Sequence, residues 1–273
     1  MTKQSPRIII LVAHGLNLRP ERMEPICEAL RERGATAVPM TLRGHAGNYE
    51  ELVGVNRSAW LEDFAGAEKT VVRIAQESVG RSGSPGNERS GVGSDSGHAA
   101  KIGFLGQSLG ALAFADYLLH SGSRSFSGAF FLSPAIALRA KSHIMRVAKI
   151  APRRVPVPSA SDPSDRVYPR LPGGAYRALF ESYTCVRRAL RHRTIDLPTS
   201  ITCHPDDELV SMRGLKGLIA DGRLSNARLT PLSREADARG FRHVAVDEET
   251  MGSANWKRFE TLLDTYLTSF CTM

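Results

Sequence analysis

The chain has 273 residues and a formal net charge of +8, and 42% of its residues are hydrophobic while 23% are charged. This length and composition fit one large α/β domain, or a core with one insertion, of the ordinary globular kind. No stretch approaches the ~20 consecutive apolar residues that a membrane-spanning helix needs, which excludes that class of protein. The apolar run at residues 8–13 is too short for a secretory signal segment, and we expect a cytoplasmic protein.

Predicted strands and helices alternate along most of the chain. Strands are predicted at residues 7–13, 36–41, 100–105, 128–132, 200–203 and 227–232. Helices are predicted at residues 20–33, 59–78, 109–120, 212–220 and 254–270. Apolar, β-branched runs that alternate with helical patterns are typical of a parallel sheet with crossover helices. The sequence therefore predicts an α/β fold.

Two segments depart from this alternation. Residues 79–98 form a polar tract rich in Gly and Ser, which we interpret as a surface loop because it has little apolar area to bury. Residues 136–195 are rich in Pro and Arg and contain no clear strand–helix alternation. We interpret this second segment as an insertion into the core.

The four cysteines are widely spaced along the chain. They are Cys27, Cys185, Cys203 and Cys271, with no Cys-x-x-Cys pair and no histidine at the spacing of a metal ligand. This pattern predicts reduced cysteines that serve packing, and neither a disulfide framework nor a zinc site.

The third predicted strand ends in Gly106-Gln107-Ser108-Leu109-Gly110 and passes at once into a helical pattern. Gly-x-Ser-x-Gly between a strand and a helix is typical of a nucleophile elbow, in which a strained turn lifts the serine hydroxyl above the sheet. For the pentapeptide alone, the alternative is a glycine-rich turn with a capping serine. The strand–turn–helix context favours Ser108 as a catalytic nucleophile.

A serine nucleophile needs a base to take its proton and a third group to orient that base. Candidates follow the last two predicted strands, in the chain order serine, acid, histidine. Asp206 and Asp207 come after the fifth predicted strand, and His243 comes after the sixth. Asp207 is preferred because it stands three residues before Val210, in the pattern Asp-x-x-Val, but the spacing does not exclude Asp206.

The first predicted strand is followed by His14-Gly15-Leu16, and a turn there would point backbone N–H groups into the space above the sheet. The N–H groups of Leu16 and Leu109 are therefore predicted to form a two-donor oxyanion hole. The His14 side chain is predicted to be structural, because the chain order favours His243 as the base.

These motifs resemble those of the α/β-hydrolase superfamily, and most of all its serine esterase branch, which includes monoacylglycerol lipases, lysophospholipases and serine-aminopeptidase-like enzymes. The resemblance covers residues 7–270 and rests on His14-Gly15, Leu42-Arg43-Gly44-His45-Ala46-Gly47, the Ser108 elbow, Asp207-x-x-Val210 and His243. The Leu-Arg-Gly-His-x-Gly stretch is usually structural in that family, so His45 is not a catalytic candidate. One departure is Met40-Thr41, which stands where the family often has an aspartate.

The resemblance implies a three-layer αβα fold with a mostly parallel sheet of about six strands and a helical lid insertion. Residues 1–135 and 196–273 would form the α/β-hydrolase core, and residues 136–195 would form the lid (cap) over the active site. It also implies a Ser-His-Asp mechanism that uses no metal and no organic cofactor.

The basic charge of the chain is concentrated in one segment. Residues 136–193 contain 13 Lys or Arg residues and three Asp or Glu residues. Within that segment, one face of a predicted lid helix holds the apolar positions Ala137, Ala140, Ile144, Val147 and Ala148. A basic amphipathic helix can contact an anionic membrane surface or attract an anionic substrate. A lid helix that packs its apolar face on the core has the same pattern, and both readings stay open.

The charge of this segment disfavours an aminopeptidase, which must bind a substrate ammonium group. No basic stripe with interleaved aromatic residues indicates nucleic-acid binding. The sequence thus predicts a serine hydrolase that acts on a small-molecule carboxylic ester, with lipid-like acyl esters favoured. Two alternatives stay open at this stage: a thioesterase or acyltransferase with the same triad, and a non-catalytic ligand receptor on the same scaffold.

Overall fold

The computed structural model describes residues 7–80, 100–139, 152–159 and 161–272. Its strands are β1 (Ile8–Ala13), β2 (Thr36–Met40), β3 (Lys101–Gln107), β4 (Gly128–Leu132), β5 (Pro156–Pro158), β6 (Arg170–Pro172), β7 (Thr199–Cys203) and β8 (Ala227–Pro231). Six of them form a parallel sheet in the order β2-β1-β3-β4-β7-β8, and β5 pairs with β6 as an antiparallel hairpin. The predicted α/β fold with a six-stranded parallel sheet is confirmed.

The helices are α1 (Glu24–Glu32), α2 (Tyr49–Gly54), α3 (Arg57–Gly80), α4 (Leu109–Ser121), α5 (Gly173–Ala189), α6 (Met212–Ala220), α7 (Glu248–Met251) and α8 (Ser253–Thr272). A 3-10 turn at Pro20–Met23 leads into α1, so the first predicted helix is present in two parts. Helices α2, α5 and α7 are additions to the predicted elements. None of the described helices combines the length and the apolar character required to cross a bilayer.

Side chains alternate between the two faces of the sheet, and this alternation builds two cores. On β4, Ala129 and Phe131 face the first core, whereas Phe130 and Leu132 face the second. Helices α3, α4 and α5 contribute buried side chains to the first core, and α1 and α8 contribute to the second. The protein is therefore a three-layer αβα structure in which both faces of the parallel sheet are covered.

The parallel strands end at one common edge of the sheet, and the loops at that edge bring distant residues together. Ser108 follows β3, Asp207 follows β7 and His243 follows β8. The turn that contains Leu16 follows β1, the direct neighbour of β3. This edge carries all of the residues that the sequence predicts for the site.

Part of the predicted lid, residues 136–195, falls within the described residues. It contains the β5–β6 hairpin and α5, and α5 packs on α2, α3 and α4. The division of the chain into core and lid stays a prediction, because residues 140–151 lie outside the described residues.

The apolar pattern predicts a lid helix that includes Ala137, but residues 137–139 are not helical in the structure. Leu138 instead forms an antiparallel bridge with Val210, and the N–H of Arg139 donates to the carbonyl of Leu209 (2.8 Å). The pairing with the loop after β7 overrides the local helical pattern at these positions. The rest of the predicted helix, residues 140–149, lies outside the described residues.

Candidate active site

Ser108 occupies the sharp turn between β3 and α4. Its φ is +48° and its ψ is −106°, a left-handed backbone conformation that is strained for a residue with a side chain. The surroundings hold it there, because its N–H donates to Leu132 (2.9 Å) and its carbonyl accepts from Leu112 (3.1 Å) and Ala135 (3.2 Å). The turn is therefore tied to the next strand, to the following helix and to the loop after β4.

The two glycines of the elbow are required by close contacts. A Cβ atom added to Gly106 would lie 3.0 Å from the backbone N of Ala111 in α4. A Cβ atom added to Gly110 would lie 2.7 Å from the carbonyl oxygen of Ala13, at the end of β1. Because neither glycine has a side chain, α4 can approach the sheet closely enough to form the elbow.

The structure brings Ser108, His243 and Asp207 into contact. Nε2 of His243 lies 2.6 Å from Oγ of Ser108. Nδ1 of the same ring lies 3.1 and 3.0 Å from the two carboxylate oxygens of Asp207. All three residues are buried, with exposed fractions of 7%, 7% and 0% in the order Ser108, His243, Asp207. The imidazole is thus held between a hydroxyl and a carboxylate.

The two neighbouring aspartates have different surroundings. Oδ1 of Asp207 accepts the N–H groups of Leu209 (2.8 Å) and Val210 (2.7 Å), which orients its carboxylate towards His243. Asp206 instead accepts a hydrogen bond from Nε of Arg234 (2.7 Å) at the surface. Of the two candidates that the sequence left open, the geometry places Asp207 on the imidazole.

The electrostatics of the pair favour a charged carboxylate and a basic imidazole. Burial disfavours the ionised form of Asp207, but the charge and hydrogen bond of His243 and the two backbone N–H donors outweigh it and lower the pKa to about 2. Burial likewise disfavours the imidazolium of His243, yet the Asp207 carboxylate raises the pKa of His243 above its ordinary value. The ring is therefore stabilised when it takes up a proton.

The sequence predicts an oxyanion hole from the N–H groups of Leu16 and Leu109, which follow the neighbouring strands β1 and β3. Leu109 is the first residue of α4, so its N–H has no partner within the helix. Leu16 lies in the loop after β1 and lines a cavity beside Ser108. Across the described ranges, neither N–H donates a hydrogen bond to the protein. Both donors thus remain available to a ligand.

His14 and His45 are buried and connect the loop after β1 with the loop after β2. Nε2 of His14 accepts the N–H of Leu42 (3.1 Å), and Nε2 of His45 accepts the N–H of Asn17 (3.1 Å). Both rings must therefore be neutral, with the proton on Nδ1. Burial lowers the pKa of His14 to about 4, and burial together with the nearby His14 lowers the pKa of His45 to about 3.

The two lowered pKa values predict a loss of stability in acid. In the unfolded chain both histidines titrate near 6.5, so below that pH the unfolded state binds more protons than the folded state. The free energy of unfolding is expected to fall by up to about 1.4 kcal/mol per pH unit for each histidine, from pH 6.5 down to their folded-state pKa values. Urea unfolding of the wild type and of His45→Gln at pH 7 and pH 5 measures this contribution. The variant should lose less stability between the two pH values, and an equal loss would contradict the prediction.

Sequence reasoning missed two residues that hold the backbone of His243. Oε2 of Glu208 accepts the N–H of His243 (3.1 Å), and Nε2 of Gln107 donates to the carbonyl of His243 (2.8 Å). The histidine is therefore fixed from both sides of its peptide. The only signal in the sequence is that each residue adjoins a predicted triad member, Asp207 or Ser108.

A cavity of about 290 Å³ lies beside Ser108 and His243. Most of its wall is apolar, formed by Leu16, Leu18, Ala135, Leu138, Pro158, Leu171, Leu179, Phe180, Leu209, Phe241 and Val244. Its polar lining residues, apart from the serine and histidine, are Asn17, Gln107, Ser159, Ser161, Asp165 and Tyr176. A mostly apolar cavity with a few polar lining groups is typical of a site that binds a small molecule.

No family model and no curated protein matches the sequence. The structure does match solved proteins over nearly its whole length. One is a structure of the metagenome-derived lipolytic enzymes LipS and LipT, with 16% identity, a TM-score of 0.71 and coverage of 97% of this chain and 95% of that chain. Another is a soluble variant of monoglyceride lipase from Saccharomyces cerevisiae in complex with a substrate analogue, with 14% identity, a TM-score of 0.67 and coverage of 96% and 88%.

A third similar structure is Est1E from Butyrivibrio proteoclasticus with bound ferulic acid, with 15% identity, a TM-score of 0.58 and coverage of 96% of this chain and 90% of that chain. These likenesses and the order of the sheet show that the chain has the α/β-hydrolase fold, as the sequence motifs predicted.

Proposed function

We propose that this protein is a serine hydrolase that cleaves carboxylic esters with Ser108, His243 and Asp207 as its catalytic triad. The observation that carries the proposal is the 2.6 Å contact between Nε2 of His243 and Oγ of Ser108, with the Asp207 carboxylate on the opposite ring nitrogen. This arrangement supplies a nucleophile, a general base and the group that orients the base. The lipases and esterases among the similar structures support an ester as the substrate.

The reaction proceeds in two acyl-transfer steps. Oγ of Ser108 attacks the ester carbonyl carbon while Nε2 of His243 takes the hydroxyl proton. The tetrahedral intermediate collapses to an acyl-enzyme, and His243 returns the proton to the departing alcohol. Water then attacks the acyl-enzyme with the same histidine as base, and the carboxylic acid leaves. Asp207 keeps the proton of the neutral ring on Nδ1 and stabilises the imidazolium in both steps.

The negative charge that develops on the carbonyl oxygen needs donors that are already in place. The N–H groups of Leu16 and Leu109 would bind this oxygen, because they form no hydrogen bond with the described part of the chain. The second donor also lies at the N-terminus of α4, where the helix dipole favours an anion. In related sites, the loss of one such donor slows turnover by about 10²–10³-fold.

The apolar cavity supports a substrate with an apolar acyl group. Its wall of aliphatic and aromatic side chains would take an apolar acyl chain out of water, which stabilises binding by about 0.8 kcal/mol per buried methylene. A lipid-like acyl ester therefore fits the site better than a short or charged acyl group.

We further propose that the basic segment, residues 136–193, contacts an anionic membrane surface. Two described arginines of that segment are already engaged with the core. Arg139 donates to the carbonyl of Pro205 (2.7 Å), and Arg153 donates to the carbonyl of Val55 (3.0 Å). These two side chains hold the insertion in place, so any surface contact depends on other cations.

The proposed function is tested by labelling with a fluorophosphonate probe, which reacts with an activated serine. The wild type is expected to be labelled and to hydrolyse p-nitrophenyl octanoate, whereas Ser108→Ala should take no label and lose about 10⁴-fold or more in kcat. Ser133→Ala is the matched control, because Ser133 is also buried, follows the neighbouring strand β4 and has a positive φ of 43°.

Three results would contradict the proposal: an unlabelled wild type, a labelled Ser108→Ala variant, or equal losses in the two serine variants. The acyl preference is read from the same assay with p-nitrophenyl acetate. We expect kcat/KM to be higher for octanoate than for acetate, because the longer chain buries more apolar area in the cavity. Equal values for the two esters would contradict the apolar acyl site while leaving the triad intact.

A further inference from the structure

We propose that Asn17 is the positioning residue of the oxyanion hole, because its side chain connects the loop that carries the Leu16 N–H to Ser159 and Tyr168 of the insertion. The inference rests on the proposed function, since it assigns a role to a residue that supports the same site. The insertion would then both cover the cavity and hold the Leu16 N–H in the position that catalysis requires.

The side chain of Asn17 pairs with Tyr168 in the manner of a neighbouring strand. Oδ1 of Asn17 accepts the N–H of Tyr168 (2.9 Å), and Nδ2 donates to the carbonyl of Tyr168 (2.9 Å). The same Nδ2 donates to Oγ of Ser159 (3.0 Å). Both amide hydrogens and the amide oxygen are thus used inside the protein, and Asn17 is 2% exposed.

The backbone of Asn17 is held as firmly as its side chain. Its φ of +60° lies in the left-handed region, which asparagine adopts more readily than most residues. Its N–H donates to Nε2 of His45 (3.1 Å), and its carbonyl accepts the N–H of Val167 (2.9 Å). Because the N–H and the carbonyl of Asn17 are both held by hydrogen bonds, the position of the neighbouring Leu16 is restricted.

Other contacts continue the same junction along the chain. Leu18 forms an antiparallel bridge with Arg166, and the N–H of Arg19 donates to the carbonyl of Asp165 (2.8 Å). The hydroxyl of Tyr168 donates to the carbonyl of Gly44 (3.1 Å). Residues 165–168 are therefore attached to the loop after β1 at several points, and the contact of the buried Asn17 amide is the one adjacent to Leu16.

The consequence for catalysis follows from the geometry that an oxyanion hole requires. A donor must lie about 2.7–3.1 Å from the oxygen of the tetrahedral intermediate, and a misplacement of about 1 Å can cost 10²-fold in rate. Loss of the Asn17 amide removes the hydrogen bonds of the loop to Ser159 and Tyr168 and lets the Leu16 N–H move. Ground-state binding depends mainly on the apolar cavity, so the effect should fall on kcat rather than on KM.

The experiment compares Asn17→Ala, Asn17→Gly and the wild type. The glycine variant keeps the freedom to adopt a positive φ but lacks the side-chain amide. It therefore distinguishes the effect of the backbone conformation from the effect of the lost side-chain hydrogen bonds. We expect both variants to lose about 10- to 100-fold in kcat on p-nitrophenyl octanoate, with KM changed by less than about threefold. The affinity for an alkyl boronic acid, which forms a tetrahedral adduct with the serine, should fall in parallel with kcat.

Asn255→Ala is the matched control for a merely structural effect. Asn255 is also 2% exposed, and its Oδ1 accepts the N–H of Ser233 (2.8 Å). Its Nδ2 donates to the carbonyls of Ser233 (3.0 Å) and Met251 (2.9 Å), which is the same set of hydrogen bonds away from the cavity beside Ser108. This variant should show a similar loss of stability with an unchanged kcat.

Equal losses of kcat in Asn17→Ala and Asn255→Ala, or a wild-type kcat in Asn17→Gly, would overturn the inference. Hydrogen exchange distinguishes a failure of the inference about Asn17 from a failure of the proposed function. If the wild type neither hydrolyses esters nor reacts with the fluorophosphonate, the proposed function fails. The exchange rates of the Val167 and Tyr168 amides then still test whether Asn17 tethers the loop to these residues. Faster exchange of these amides in Asn17→Ala than in Asn255→Ala supports the tether, and unchanged exchange overturns it.

Discussion

Replacement of Asp207 by Asn is expected to lower kcat by about 10⁴-fold, while replacement of its neighbour Asp206 by Asn should leave kcat within about twofold. An asparagine at position 207 can still accept the N–H groups of Leu209 and Val210 through its oxygen. Its NH₂ group would then face Nδ1 of His243 and donate to it. The ring would be forced into the tautomer with the proton on Nε2, which cannot accept the proton of Ser108.

The adjacent pair makes this a controlled comparison, because the two substitutions remove the same charge one residue apart. Asp206 is exposed at the surface, where its ion pair with Arg234 lowers its pKa but contributes little to stability. Hydrolysis of p-nitrophenyl octanoate and urea unfolding should be measured for both variants. Similar kcat values for Asp206→Asn and Asp207→Asn would show that Asp207 is not the orienting acid.

The pH dependence of kcat/KM gives a second readout of the same contact. The carboxylate of Asp207 raises the pKa of His243, so the acidic limb of the profile should move to lower pH in Asp207→Asn. A substitution that acted by general unfolding would reduce the amplitude of the profile and leave its midpoint in place. The direction of the shift therefore distinguishes a lost charge from a lost fold.

The parts of the structure that could be predicted are those with a local signal. Strands β1 and β4 are short apolar runs, and every strand of the six-stranded sheet was predicted within two residues of its observed ends. The largest difference is at β3, which continues through Gly106 and Gln107. Neither residue favours a strand, but pairing with Phe131 and Leu132 of β4 extends the ladder to the elbow.

Helix α5 was not predicted because it begins with two glycines, Gly173 and Gly174, which are poor helix formers. A Cβ atom on Gly174 would clash with the carbonyl oxygen of Val53, so a close approach of two chain segments selects glycine there. Helix α5 therefore depends on tertiary packing, which cannot be read from a single sequence.

The same distinction holds for the site. Ser108, Asp207 and His243 could be predicted because each follows a strand, and parallel strands end at one edge. Their supports could not, because each is a contact between residues far apart in the chain. Gln107 meets His243 across 136 positions, and Asn17 meets Tyr168 across 151. Local patterns thus identify the groups that react, while the groups that hold them require the fold.

The elbow itself can be tested through its glycines. Gly110→Ala is expected to lower the free energy of unfolding by about 1–3 kcal/mol, because the new Cβ would lie 2.7 Å from the backbone oxygen of Ala13. The strand end and the helix must move apart to accommodate it, and this displaces Ser108 relative to His243. We therefore expect kcat to fall by about 10²-fold in the same variant.

Gly217→Ala is the matched control, because Gly217 also lies within a helix, α6, but has open space around the position of a Cβ atom. Both substitutions gain the helix propensity of alanine, worth about 0.8–1.0 kcal/mol, so the difference between them isolates the close contact. Gly217→Ala should stabilise the protein or leave it unchanged, and it should keep the wild-type kcat. Urea unfolding and the ester assay measure both quantities, and equal stability changes in the two variants would mean that the elbow does not depend on the absence of a side chain at Gly110.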